Sequence, residues 1–192
     1  MMACNDIQTA NEGLKYWKEH NTPNESHKNY GSKLYFVKLQ WSHLYEGLKS
    51  IQDIENNEKL RNSVSRCDKR TQEQYKKLTT YIKGGQNNKD VEKYLGRLRS
   101  NFTFHYDETG KLIPRSIIRN NSGSTSITRG STSHLWRFNA ADEILDDIVV
   151  NEVWGVGNGD NKRLPEVEDF AEEIYIAFVD FCGEFIWSCV SR

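Results

Sequence analysis

The clearest pattern along the chain is an apolar stripe between Tyr30 and Ile54. Leu34, Val37, Trp41, Leu44, Tyr45, Leu48 and Ile51 recur at steps of three and four, the spacing that lines one face of an α-helix. Ahead of it, Ile7, Ala10, Leu14 and Trp17 follow roughly the same rule and predict a helix over 7–20, ended by Asn21-Thr22-Pro23-Asn24. Asn56-Asn57-Glu58 marks a turn. Residues 59–83 then read as one or two basic helical pieces anchored by Leu78 and Ile82, and Gly84-Gly85-Gln86-Asn87-Asn88 stops them.

A further helix is predicted over 89–104, with Val91, Leu95, Leu98 and Phe102 as its apolar stripe. The periodicity then fails over 110–134. Lys111-Leu112-Ile113-Pro114 and Ser116-Ile117-Ile118 fit a short hairpin or segments packed on the domain, and residues 120–126 are small and polar. Ile144, Leu145, Ile148 and Val149 predict a helix over 140–153. Gly155, Gly157 and Gly159 lack the spacing and the preceding strand of a phosphate loop, so this stretch reads as a connector. Pro165 suits the first turn of a last helix. That helix runs to Val190 with a broad stripe of Phe170, Ile174, Phe178, Phe181 and Phe185, which belongs to the bundle core, a dimer interface or both. The expected fold is all-α: one domain over 1–192, a helical bundle of about five to seven helices with a polar loop insertion at about 110–134 after the 89–104 helix.

Composition narrows this picture. The chain has 192 residues, 36% hydrophobic and 28% charged, with three prolines, which suits a helical protein with long polar faces. It has no run of about eighteen apolar residues, so no membrane span is expected. It also has no basic-then-apolar leader, so the cytoplasm is the expected location. Cys4, Cys67, Cys182 and Cys189 form no C-x-x-C pair; they read as free thiols, and neither a metal nor a cofactor is expected.

The net charge of −1 hides a split. From Lys59 to Arg137 there are seventeen Lys and Arg against six Asp and Glu, and from Ala140 to Glu184 two against thirteen. Either the basic part meets an anionic partner, or the two parts face each other within one fold or across a dimer. Lys69, Arg70, Lys76 and Lys77 are the candidate phosphate contacts, and a solvated face is the plainer alternative.

One stretch carries candidate chemistry: Leu98-Arg99-Ser100-Asn101-Phe102-Thr103-Phe104-His105-Tyr106-Asp107. Arg99 and His105 lie six residues apart, about 1.7 turns of a regular helix, so they converge only where the helix ends or bends. Phe102-Thr103-Phe104, three side chains of restricted freedom, is the natural place. The spacing resembles the R-x(4–6)-H signature of the HEPN superfamily. The fuller string is similar to an LRN-x-x-x-FHYD segment of several bacterial helical families. The position after the arginine, commonly Asn, Asp or His in active HEPN enzymes, is Ser100 here, with Asn101 one step later.

The resemblance implies a metal-independent ribonuclease in a toxin, phage-defence or RNA-processing role. His105 would move the proton of an RNA 2′-hydroxyl, and Arg99 would hold the phosphate through its planar fork. Ser100 or Asn101 would orient the histidine or a phosphate oxygen, and Tyr106 would add a hydroxyl or a stacking surface. Glu46, which shares a face with His43, is the acidic residue expected to approach the pair from a neighbouring helix. RNA is the implied substrate, a homodimer would bring two Arg99–His105 pairs into one cleft, and a toxin role would bring an antitoxin-like protein partner. The alternative is a non-catalytic helical module of the same ancestry, binding a protein or nucleic acid. In that case His105 closes a core helix and Glu46 is a solvated carboxylate. Nothing in the chain selects a third option, a nucleotide- or small-molecule-binding helical protein.

Overall fold

The computed structural model describes residues 2–20, 26–100, 110–120, 127–128, 137–156 and 163–191. Helix α1 (Met2–His20) is followed by α2 (Ser26–Asn56), α3 (Glu58–Val64) and α4 (Lys69–Thr79). Helix α5 (Asn88–Val91) continues as a π-helical turn, Glu92–Gly96, and the chain stays helical to residue 100. Then come α6 (Leu112–Asn120), α7 (Asn139–Ile148) with its own π-helical continuation Val149–Val153, and α8 (Arg163–Val190). A two-residue antiparallel ladder pairs β1 (Ile127–Thr128) with β2 (Arg137–Phe138). The all-α bundle expected from the periodicity is what forms, with eight helices among the described residues.

Local chemistry sets several boundaries. Asn57 caps α3 by accepting the Leu60 N–H at 3.2 Å. Asp68 caps α4 through the Thr71 N–H at 3.0 Å. These two caps split the 59–83 region into separate helices. Residues 80–87 turn the chain, with Gly84 at φ +93, a backbone conformation that side chains disfavour. The first part of the 110–134 stretch is helix α6 rather than a hairpin. Pro114 sits in its first turn, where a missing N–H costs no helical bond. Buried Ser116 donates to the Ile144 carbonyl of α7 at 3.1 Å.

Helix α2 is the axis of the fold. Its 31 residues span about 46 Å at 1.5 Å per residue. It packs against α1, α3, α4, α7, α8 and the π turn after α5. Its Leu34, Trp41, Leu44, Leu48 and Ile51 are buried with Ile7 of α1, Leu78 of α4, and Val91, Leu95 and Leu98 of the 88–100 helix. From α8 come Ile174, Ala177, Phe178 and Phe181, and from the α7 end Ile148, Val149, Val153 and Trp154. The Trp41 and Trp154 rings lie 4.9 Å apart. Helices α2 and α8 come together at Gly47, where a Cβ would fall 2.6 Å from Cζ of Phe178.

The acidic last helix meets the basic α4. Arg70 Nη2 is 2.7 Å from Asp180 Oδ2 and Lys77 Nζ is 2.8 Å from Glu173 Oε1. Between α6 and α7, Arg119 joins Asp147 at 2.7 Å and Glu152 at 2.5 Å. Basic and acidic segments therefore face each other inside one chain at these points. The core stripe of α8 stops near Phe181: Trp187, Cys189 and Val190 are exposed. No helix among the described residues is long and apolar enough to cross a membrane.

Phe178 fills the space that Gly47 leaves open and is almost wholly buried. Phe178→Ala is expected to destabilise the protein by about 3–5 kcal/mol, read as a lower midpoint in urea denaturation. The exposed Trp187→Ala is expected to cost under about 0.5 kcal/mol.

Candidate active site

The site is built where the 88–100 helix crosses α2. Burial of Val91, Leu95 and Leu98 fixes the rotation of that helix. Arg99, one residue past Leu98, therefore sits at the margin of the core, half-buried. Its Nε is 2.8 Å from Glu46 Oε1 on α2. Lys49, three residues on, donates to both oxygens of the same carboxylate at 2.8 and 2.9 Å. Next to it the Tyr45 hydroxyl donates to Glu92 at 3.1 Å, and Lys49 Nζ stands 5.1 Å above the Tyr45 ring. Glu46 thus holds two cations from two helices, and Tyr45 ties α2 to the π turn.

The helix carrying Arg99 is not a regular α-helix. It is π-helical over Glu92–Gly96 and again at residues 99–100, and such turns shift the side chains beyond them around the axis. Gly96 lies in the first π turn, and a Cβ there would meet Glu92 Oε2 at 2.8 Å and the Tyr45 ring at 3.2 Å. The absence of a side chain at Gly96 lets the helix close on Tyr45.

Electrostatics fix the charge states. Burial alone would push the Glu46 carboxyl up, but the Lys49 and Arg99 contacts more than offset this and hold it below its ordinary 4.5. Tyr45 moves up because it is partly buried and faces Glu92. At neutral pH the cluster is an anion between two cations beside a neutral phenol. Whatever the lowered Glu46 value contributes to stability is present above 4.5 and is lost as pH falls through the lowered value. Both partners of the Arg99 pair are about a third exposed (37% and 35%), so that contribution is at most about 1 kcal/mol.

Beside the cluster lies a groove of about 240 Å³ lined by Tyr45, Lys49, Tyr81, Lys83, Asn88 and Glu92. It shares Tyr45, Lys49 and Glu92 with the ion cluster, while Glu46 and Arg99 are not part of its lining.

The structure thus brings together Arg99 and Glu46 of the sequence candidates, with Ser100 next to Arg99 in the chain. Asn101, His105 and Tyr106, and the Phe102-Thr103-Phe104 stretch expected to bend the helix, lie outside the described residues. His43 faces the other way, its Nδ1 3.8 Å from Asp6 Oδ2 of α1. Among the basic candidates, Arg70 and Lys77 engage carboxylates of α8. Lys69 is 3.7 Å from Glu73 of its own helix and strongly exposed, and Lys76 is exposed.

Sequence reasoning missed Tyr45, Lys49 and Glu92 as members of the cluster. It also missed Lys38 and Ser42, which are 7% and 1% exposed on α2. Burial lowers the Lys38 pKa, and the Asp142 carboxylate of α7 works against that shift. The signal in the sequence was the placement of Lys38, Ser42 and Glu46 at four-residue intervals, a polar line beside the apolar stripe of one helix.

Compared with known proteins, the chain matches no family profile, no curated sequence and no solved structure.

The competition at Glu46 is testable. In the wild type its carboxyl is expected to titrate below 4.5, and in Lys49→Ala higher than in the wild type, because burial then meets a weaker counter-charge. A carbon-detected NMR titration of the side-chain carboxyl reads both values, and equal values in the two proteins would contradict this electrostatic account.

Proposed function

We propose that the chain is a HEPN-like endoribonuclease that cleaves RNA without a metal, by attack of a 2′-hydroxyl on the adjacent phosphate. The observation that carries this reading is the Glu46–Arg99 pair. The motif arginine is paired at a core margin with a carboxylate from a neighbouring helix, in an irregular stretch of helix, and the Tyr45 and Lys49 side chains next to that carboxylate line a groove.

In this mechanism the 2′-oxygen attacks phosphorus and the 5′-oxygen leaves. The products carry 2′,3′-cyclic phosphate and 5′-hydroxyl ends. His105 takes the 2′-hydroxyl proton. The His105 of a second copy gives a proton to the departing oxygen, which is why a homodimer belongs to the proposal. Arg99 stabilises the charge that accumulates on the phosphate oxygens, and a guanidinium already drawn into place by the Glu46 carboxylate needs little reorganisation to do so. Tyr45 offers the groove an aromatic face for the neighbouring base, and Lys49 and Lys83 offer charge for its phosphate. Ser100, Asn101 and Tyr106 keep the supporting roles that the resemblance assigns. A toxin or phage-defence role in the cytoplasm, with an antitoxin-like partner, is the setting this chemistry fits.

A second reading has its own observations. Ser100 stands where active HEPN enzymes commonly carry Asn, Asp or His, and Arg99 already meets a carboxylate. Both fit a non-catalytic helical module in which the Arg99–Glu46 pair only joins two helices.

Cleavage of total RNA by the purified protein in EDTA separates the two readings. The proposal expects fragments with cyclic-phosphate ends, an acid limb near the ordinary imidazole pKa of about 6.5, and losses of about 100-fold or more in Arg99→Ala and in His105→Ala. A folded wild type that leaves RNA intact, or cleavage that survives both substitutions, would reject the nuclease and leave the binding module.

A further inference from the structure

Helices α1, α2 and α8 leave a cavity of about 240 Å³ between them. It shares no lining residue with the groove beside Tyr45. Its floor is apolar: Leu14 of α1, Trp41 and Leu44 of α2 and Ala171 of α8 are buried there, and partly buried Val37 adjoins them. Its wall holds an amide pair, in which Gln40 Nε2 of α2 donates to Asn11 Oδ1 of α1 at 3.2 Å. Each of these amides has a second N–H and a second lone pair with which to meet another molecule. Tyr175 of α8 lines the cavity too, and its hydroxyl donates to Gln8 Oε1 of α1 at 3.1 Å, one turn from Asn11.

The charges around this floor are sorted by helix. Lys18 of α1 and Lys33 of α2 line the cavity. Lys33 Nζ stands 6.0 Å from the ring centroid of Trp17, the residue before Lys18, so the two lysines belong to the same end of the α1–α2 pair. Helix α8 contributes Glu168 and Glu172, which lie one turn apart on one face. Among the described residues no ion pair joins any of these four to a charge of opposite sign.

We propose that this cavity binds a free amino acid with a large apolar side chain. The inference is independent of the RNA chemistry. The ligand carboxylate lies against Lys18 and Lys33, its ammonium against Glu168 and Glu172, and its side chain on Trp41 and the apolar floor. A zwitterion is the chemistry that uses both sets of charges. A pure anion would meet two carboxylates, a pure cation would meet two ammonium groups, and an uncharged apolar molecule would leave all four without a counter-charge. Size points the same way. Pockets for drug-sized ligands run from roughly 300 to 1,000 Å³, so a cavity of about 240 Å³ suits a molecule the size of one residue. Such a ligand touches three helices at once and stabilises their packing by mass action.

The test titrates the purified full chain with L-leucine, L-methionine, L-phenylalanine and L-tryptophan, and with glycine as the control, by calorimetry and thermal unfolding. At least one of the four is expected to bind saturably and to raise Tm by roughly 3–6 °C at ten times its Kd, with no shift from glycine at the same concentration. The N-acetyl and amide forms of that amino acid, each missing one charge, are expected to bind about tenfold more weakly. Glu168→Gln/Glu172→Gln is expected to weaken the free amino acid about tenfold and to leave the N-acetyl form, which has no ammonium, unaffected. Lys18→Gln/Lys33→Gln is expected to do the same for the carboxylate, with the amide form unaffected. These four side chains lie at the cavity rim, and the Tm of each unliganded variant shows that it still folds. No binding by any of the four amino acids up to about 10 mM would overturn the proposal. Blocked forms that bind as well as the free amino acid would overturn it too, because they would show an apolar cavity only, as would charge variants that bind the free amino acid like the wild type.

Discussion

The structure depends on one constraint: α2 has to be buried along most of its length. A single helix of 31 residues cannot hide its apolar positions against one neighbour, so α1, α4, α7, α8 and the 88–100 helix gather around it. Two close approaches set the geometry. At Gly47 the missing side chain admits the Phe178 ring, which sets the distance to α8. At Gly96 the missing side chain admits Tyr45, which sets the distance to the motif helix. The polar positions on α2 are then not free choices. A carboxylate or an ammonium next to a packed face is costly unless an opposite charge approaches it, and α2 carries Lys38 and Glu46 in such places. Asp142 comes to the first from α7. Arg99 comes to the second from the motif helix.

Packing energy places the arginine and electrostatics orient it. Leu95 and Leu98 are fully buried and decide which side of their helix faces α2. The π turns then rotate the side chains beyond them around the helix axis. Glu46, shared between Lys49 and Arg99, is held below its ordinary 4.5 and draws the guanidinium towards α2. An ion pair this exposed adds little to stability. Its effect is geometric: it joins α2 to the 88–100 helix at the margin of the core.

The helical periodicity made most of the fold legible in the sequence. The stripe from Leu34 to Ile51, the cluster of Val91, Leu95 and Leu98, and the aromatic run from Phe170 to Phe181 all read as buried helix faces, and their main positions are buried. Helix α6 was not legible. Lys111-Leu112-Ile113-Pro114 and Ser116-Ile117-Ile118 fit a short hairpin or packed segments, and the hydrogen bond from Ser116 to the Ile144 carbonyl is tertiary information. The π turns have no periodicity signal of their own. Charge was half legible: the split between basic and acidic parts was visible, but the pairs Arg70–Asp180 and Lys77–Glu173 depend on how α4 and α8 pack. At the site, Arg99 and Glu46 came from a motif and its expected acidic neighbour. Tyr45, Lys49 and Glu92 were passed over because each looks like an ordinary helix residue until the two helices cross.

If Arg99 binds phosphate as proposed, the guanidinium itself reports it. Nitrogen-15 NMR of the Arg99 Nε–H during titration with a short 2′-O-methyl RNA, which binds but cannot be cleaved, isolates that atom. The account predicts that this resonance shifts in step with binding and that Lys49 and Tyr45 signals move with it. An Arg99 resonance that stays fixed while the exposed lysines of α4 respond would contradict it and assign Arg99 to the fold alone.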